Sequence, residues 1–171
     1  MHPYFQQNYH YCPKCGYEFT EEDYQSVKLV CPQCGFEVYE NPTPTVAAVI
    51  VQQNKILLAK RSIEPRKNTW DSVGGFVEVG ETLEQACLRE MEEETGLKGT
   101  IKDYLGNFPD TYFDKPTLTA GFVVEIGQGE PQAQDDVAEL KWFNKKEIPF
   151  TEIGFPSVAN IIKKYLKKDE K

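Results

Sequence analysis

Positive charge is in deficit in this chain and histidine is scarce. Nineteen lysines and arginines face 27 aspartates and glutamates, a net charge of −8 at pH 7. That excess of acid disfavours a nucleic-acid backbone or an anionic membrane as the main partner. The two histidines, His2 and His10, stand in the amino-terminal tail, and no Cys/His or Ser/His pair offers a credible nucleophile. Long apolar runs are missing as well. The longest, Val46 to Val51, has the length of a strand and is too short to span a bilayer. Met1-His2-Pro3-Tyr4 has neither the basic start nor the apolar core of a signal peptide, so a cytoplasmic location is expected. The 171 residues suffice for one main domain and a small appendage.

Four of the five cysteines form two Cys-x2-Cys knuckles, Cys12-Pro13-Lys14-Cys15-Gly16 and Cys31-Pro32-Gln33-Cys34-Gly35, with fifteen residues between them. This is the spacing of a tetrathiolate Zn²⁺ site and resembles a zinc ribbon. The glycine after each second cysteine allows a tight turn that points backbone amides at the sulfurs. Disulfides would need an oxidising compartment, which nothing in the sequence indicates. Four thiolates close the coordination sphere, so the Zn²⁺ is expected to be structural. Between residues 11 and 40 two lysines meet six acids, a local charge of −4, which disfavours phosphate binding by the ribbon. It is expected to stabilise the fold, to pair two copies into a homodimer or to roof the active site. Cys87, the fifth cysteine, lies on an apolar helical stripe and reads as a core residue.

The chain is organised around the stretch from Gly75 to Leu97. After Glu81-Thr82, the residues Leu83, Ala86 and Cys87 fall on one helical stripe, with no proline or glycine until Gly96. Continued by three and four residues, the stripe meets Glu90, Glu93 and Glu94 instead of further apolar side chains. At 100° per residue the three carboxylates span about a third of a turn. Like charges at this spacing repel, and turning them toward the fold adds a desolvation cost. A cation is therefore expected among them. Carboxylate oxygens suit Mg²⁺ or Mn²⁺, and Mg²⁺ is commonly held by a few carboxylates together with substrate phosphates. Arg89 can orient one of the acids. The competing reading of such a run is a solvated acidic helix face.

The framework around the acids decides between the two. Gly75, five residues, Glu81, seven residues and Arg89-Glu90-Met91-Glu92-Glu93-Glu94-Thr95-Gly96-Leu97 resembles the Nudix box, Gly-x5-Glu-x7-Arg-Glu-U-x-Glu-Glu-x-Gly-U, where U is a bulky aliphatic residue. Every defined position is met, with Met91 and Leu97 as U. The resemblance implies Mg²⁺ (or Mn²⁺) held by Glu90, Glu93 and Glu94 with the Gly75 carbonyl as a further ligand. It also implies Glu93 as proton acceptor, Glu81 as a supporting acid and Arg89 as an orienting cation. Relatives commonly carry leucine and proline where Ser72 and Val73 stand here.

Along the rest of the chain, residues 1–10 show no periodicity, and Tyr39-Glu40-Asn41-Pro42-Thr43-Pro44 reads as a proline-stiffened joint. The expected division is 1–41, tail and zinc ribbon, and 42–171, hydrolase domain. Thr45 to Val51 and Lys55 to Lys60 read as a hairpin about a Gln52-Gln53-Asn54 turn. Arg61, Arg66 and Lys67 are candidates for gripping substrate phosphate, and Trp70 reads as core. Strands are expected at Thr100 to Phe108 and Thr117 to Ile126 with a loop from Pro109 to Pro116, where Tyr112 and Phe113 are candidates for stacking a base. Asp136 and Glu139 are candidate acids before and within another strand, and Ser157 to Lys168 is an amphipathic helix. The alternation of strands with one long and one terminal helix predicts an α/β fold, an α/β/α sandwich with a mixed sheet preceded by the small ribbon.

The resemblance extends to ribbon-bearing Nudix proteins similar to NADH pyrophosphatases and to FAD or ADP-ribose pyrophosphatases. It implies Mg²⁺-dependent hydrolysis of a nucleoside diphosphate linked to another group. NADH pyrophosphatases carry Ser-Gln-Pro-Trp-Pro-Phe-Pro after the box, whereas this chain has Gly106-Asn107-Phe108-Pro109-Asp110-Thr111-Tyr112, which favours ADP-ribose, FAD or a similar dinucleotide over NADH. A catalytically weak nucleotide-sensing regulator and an RNA-cap or NAD-cap pyrophosphohydrolase are the alternatives.

Overall fold

The computed structural model describes residues 3–26, 28–127 and 129–169. The chain forms two compact units, Met1–Asn41 and Pro42–Lys171. The first holds helix α1 (Pro3–Asn8), a 3₁₀ helix (Glu21–Gln25) and the antiparallel strands β1 (Lys28–Val30) and β2 (Glu37–Tyr39). Its core is Phe5, Phe19, Tyr24 and Leu29 packed with Cys12 and Cys31. The aperiodic first residues thus contain a helix after all, anchored by the fully buried Phe5 ring rather than by an apolar stripe. A unit this small buries little surface, which makes a further cross-link such as a metal valuable to it.

The second unit holds β3 (Thr43–Gln52), β4 (Lys55–Arg61), β5 (Trp70–Asp71), α2 (Leu83–Thr95), β6 (Gly99–Tyr112), β7 (Lys115–Ile126), β8 (Val137–Asn144) and α3 (Pro156–Asp169). Its sheet runs β5-β4-β3-β7-β6, with β8 on β4. The β3–β7 pair is parallel and the other pairs are antiparallel. Side chains alternate along each strand, so each face receives its own core. Val46, Ala48, Ile50, Leu57 and Phe122 pack with Ala86, Cys87 and Met91 of α2 on one face. Ala47, Val49, Ile56, Leu58 and Val123 pack with Val158, Ile161, Ile162 and Tyr165 of α3 on the other. The result is the α/β/α sandwich. Trp70 and Cys87 are core residues, and Trp70 lies edge-on to Phe143 at 5.0 Å.

The loop expected over Pro109 to Pro116 is a correction. Strand β6 continues to Tyr112 and turns at Phe113-Asp114, with Phe113 at φ 55°. Proline normally ends a central strand, but β6 is the last strand of its sheet and an edge tolerates the missing N–H. Gln53 and Asn54, both at positive φ, make the tight hairpin between β3 and β4.

Gly121 of β7 leaves a notch for α3: a Cβ there would lie 2.8 Å from Ile161 Cγ2. Ile161 is fully buried, so Ile161→Ala is expected to destabilise this unit by about 2–5 kcal/mol. Denaturant unfolding followed by circular dichroism measures it, and a loss under about 1 kcal/mol would contradict this packing.

Candidate active site

Strands β3 and β4 pair only from Ile50 to Gln52, where they meet Lys55 to Leu57, and then diverge. The segment Trp70 to Gly75 enters the opening. On one side Trp70 and Asp71 pair with Lys60 and Ala59; on the other, Ala48 N donates to Val73 O at 2.8 Å and Val46 N to Gly75 O at 2.9 Å. The wedge carries the backbone so close to β3 that a Cβ on Gly74, at φ 150°, would stand 2.1 Å from Val46 O. A Cβ on Gly75 would stand 2.5 Å from Glu90 Oε1, so the missing side chain is what lets a carboxylate lie over the turn.

Helix α2 brings that carboxylate. Thr82 caps it in a reciprocal box with Gln85, and Gly96 ends it in the left-handed conformation at φ 67°. Buried Ala86, Cys87 and Met91 fix its rotation. Glu94 is 7% exposed and its Oε2 accepts from Gly74 N at 3.0 Å. Burial pushes its carboxyl well above the ordinary range; the Gly74 amide opposes this, and Asp136, Asp71 and Glu90 add to it. Glu90 is half-buried and raised for the same first reason. Arg89 gathers the rest: it donates to both oxygens of Glu81 at 2.7 and 3.0 Å, to Glu90 and Glu93 at 2.9 Å each, and to Phe76 O at 3.0 Å. Its guanidinium holds the Glu81 carboxyl below the usual range.

Asp136 arrives from the segment before β8. Gln132 N and Gln134 N donate to Thr95 O and Glu94 O, and Asp136 O accepts from Ser62 N and Ser62 Oγ. Together Glu90, Glu94, Asp136, Gly75, Arg61 and Tyr112 are among the residues that line a cavity of ≈ 220 Å³. Arg61 is pinned at the margin, donating to Pro65 O at 2.8 Å and to Asp71 Oδ2 at 3.2 Å. Burial pushes the Asp71 carboxyl up to about 7 against the pull of Arg61.

Of the residues named from sequence, the cavity therefore unites Gly75, Glu90, Glu94, Arg61, Tyr112 and Asp136, with Arg89 and Glu81 bracing it from behind. Glu93 is held by Arg89 with its side chain 52% exposed, at the rim rather than inside. Phe113 projects from the hairpin turn, 66% exposed. Glu139 pairs with Lys60 across β4–β8 and is exposed. Arg66 lies 3.7 Å from Asp110 and 4.2 Å over the Phe155 ring. Asp71 and Phe155 were missed. An acid directly after a core tryptophan and before Gly-Gly was the available signal for Asp71; Phe155 had none.

The donor set suits a hard divalent cation, because Glu94 is compensated by a single amide and its near neighbours are acids. In the ribbon unit the four thiols of Cys12, Cys15, Cys31 and Cys34 lie within 4.8 Å of one another. Cys12–Cys34 and Cys15–Cys31 are each 3.6 Å apart and unbonded. A tetrahedral ion at ~2.3 Å from each sulfur sets them ~3.8 Å apart, so the cluster can hold a metal. Gly16 and Gly35, at φ 76° and 70°, close the knuckles, with Gly16 N on Cys12 O and Gly35 N on Cys31 O.

A pH test isolates Asp71. Its carboxyl keeps a proton up to about 7 when folded and loses it near 3.8 otherwise. The folded state binds the extra proton between those values, so Asp71 makes stability fall as pH rises through that window. In metal-free buffer Asp71→Asn is expected to flatten that fall in melting temperature, and curves parallel to the parent's would refute the assignment.

The comparisons with known proteins agree with this geometry. The NUDIX domain matches residues 41–165. The ADP-ribose pyrophosphatase of Methanocaldococcus jannaschii is 37% identical over 129 residues, 74% of this chain and 75% of that protein. An NAD-capped RNA hydrolase, NudC, of Vibrio vulnificus is 30% identical over 144 residues, 84% of this chain; the chain spans only 54% of that relative's length. The crystal structure of a NUDIX hydrolase from Nitrosomonas europaea superposes with a TM-score of 0.77 at 26% identity, covering 94% of this chain and 92% of the other. With every position of the box filled and its buried acids facing one cavity, the chain belongs to the NUDIX family of pyrophosphohydrolases.

Proposed function

We propose that this pyrophosphohydrolase cleaves the diphosphate bridge of a nucleoside diphosphate joined to a second group, with ADP-ribose, FAD or a similar dinucleotide as substrate. The observation that carries the reading is the convergence of Glu90, Glu94 and Asp136 on the cavity that Gly75 and Arg61 also line. Glu90 and Glu94, with Glu93 reaching in from the rim and the second lone pair of the Gly75 carbonyl, would hold Mg²⁺ or Mn²⁺. Such an ion, when bound, neutralises the diphosphate and makes a bound water more acidic. Arg61 grips a phosphate oxygen at the margin, and Arg89 keeps Glu90 and Glu93 aligned through its bonds to Glu81. The attacking water gives its proton to Asp136 or Glu93, of which Asp136 is the one inside the cavity. The ADP-ribose pyrophosphatase relative and the departure from the NADH pyrophosphatase array support this substrate class.

Likeness to NAD-capped RNA hydrolases favours a second reading, removal of a NAD cap from RNA. The same chemistry would serve it, but the net charge of −8 gives an RNA body little to bind. The retained box acids weigh against a non-catalytic sensor. Residues 1–41 serve as a Zn²⁺ ribbon and residues 42–171 as the hydrolase domain. Five free thiols fit the cytoplasm, and among the described residues no helix is long and apolar enough to cross a membrane.

A Mg²⁺-supplemented screen of ADP-ribose, FAD, NADH, NAD-capped RNA and nucleoside triphosphates is expected to release AMP fastest from the first two. Glu94→Gln should bring turnover to background, and Asp136→Asn should lower kcat by about 10²–10⁴-fold, more than Glu93→Gln does. Full activity in Glu94→Gln would end this reading. For the ribbon, native mass spectrometry is expected to find one Zn²⁺ per chain and none in Cys31→Ser; equal metal content in the two proteins would reject the site.

A further inference from the structure

Asp136 enters the acid-lined cavity from a turn ahead of β8, and a turn by itself is a loose support for a reacting group. Three features tighten it. The turn is closed by Val137 N on Gln134 O at 3.1 Å, with Asp135 at φ 51°, a conformation that aspartate tolerates. A bulge follows. Glu139 of β8 stands opposite Lys60 of β4, but Val137 and not Ala138 stands opposite Arg61, so Ala138 is an extra residue. Side chains alternate along a regular strand, yet Val137, Leu140 and Trp142 all pack against the core that includes α2. The extra residue lets the odd position join the two even ones, and it brings Asp136 rather than Val137 beside Ser62.

Ser62 is the third feature. Its N–H, at 2.9 Å, and its hydroxyl, at 2.6 Å, both donate to the Asp136 carbonyl. Two donors occupy both lone pairs of that oxygen and restrain the peptide attached to the Asp136 Cα. The N–H bond is one that almost any residue would make. The hydroxyl bond depends on the side chain. Ser62 also follows Arg61 directly, and Arg61 lines the same cavity, so adjacent residues hold the cation and the acid.

We infer that Ser62 is a positioning residue: through the Asp136 carbonyl, its hydroxyl holds the Asp136 carboxylate inside the cavity. The inference rests on the proposed hydrolysis for the use of that carboxylate, which is to take the proton of the attacking water. Ser62 acts through the backbone. A misplacement of about 1 Å at a reacting group costs up to about 10²-fold in rate, so loss of the hydroxyl falls on kcat and leaves ground-state binding intact.

The test compares Ser62→Ala, Ser62→Thr, Asp136→Asn and the Ser62→Ala/Asp136→Asn double variant on ADP-ribose with Mg²⁺, each first shown to keep the parent's circular dichroism. Ser62→Ala is expected to lower kcat by about 10–10²-fold with KM within about twofold of the parent. Ser62→Thr, which keeps the hydroxyl, should stay near the parent. In the Asp136→Asn background the alanine change should cost nothing more, because the group it acts through is gone. A second readout needs no turnover. In EDTA the ¹³C resonance of the Asp136 carboxyl, identified by its loss in Asp136→Asn, is expected to move in Ser62→Ala and to stay in place in Ser62→Thr.

The inference alone is overturned if Ser62→Ala keeps full kcat while Asp136→Asn loses it, if the two losses multiply in the double variant, or if the carboxyl resonance does not move. Full activity in Asp136→Asn would overturn it together with the proton-acceptor assignment. A moved resonance in a protein that turns over no nucleoside diphosphate would uphold the clamp and end the hydrolysis reading.

Discussion

The cost of ionising carboxyl groups held in the interior is the constraint on which the second unit depends. Glu94 is 7% exposed and is met by one backbone amide, while Glu90, Asp136 and Asp71 all raise the cost of ionising it. The two arginines at the site face other acids. Arg89 is shared among Glu81, Glu90 and Glu93, and Arg61 is tied to Asp71 and the Pro65 carbonyl. A fold that isolates carboxylates in this way gives up stability unless something positive binds between them. The scaffold tolerates the arrangement because two hydrophobic cores, one on each face of the sheet, fix α2 and the wedge independently of the acids.

The wedge gives this charge its shape. Because β3 and β4 separate after three paired positions, the segment from Trp70 to Gly75 hydrogen-bonds to both strands and brings its glycines against the helix and its aspartate against Arg61. Any side chain at Gly75 would occupy the place of the Glu90 carboxylate. Catalytic acids and phosphate-facing turn are therefore one packing unit, in which the position of one is set by the absence of atoms in the other.

What was legible in the sequence follows from how local each feature is. The helix, its Thr82 and Gly96 termini and its buried face are encoded within a few turns, so spacing alone located them. Spacing puts Glu93 at the edge of the arc it shares with Glu90 and Glu94, and the Arg89 guanidinium one turn earlier holds it at the rim. The length of β6 was hidden by Pro109, because whether a proline ends a strand depends on being at an edge, which no local pattern states. Helix α1 was hidden because one buried ring, not a repeat, secures it.

Substrate choice is the least legible feature, for a physical reason. The box acids act on phosphate, which is the same group in ADP-ribose, FAD or a capped RNA, so a perfect box constrains the reaction and leaves the rest of the molecule free. The space beside it is walled by residues from β3, the wedge, the end of β6, β7 and the approach to α3. Thr45, Asp71, Tyr112, Thr119 and Phe155 span over a hundred positions and share no spacing rule. Each of them taken alone reads as a strand threonine, a surface acid or a core ring. Only the sheet order, which sets β7 beside β3 and so brings Thr119 opposite Thr45, turns them into one wall, and a pattern that exists only after folding can be read only from the fold.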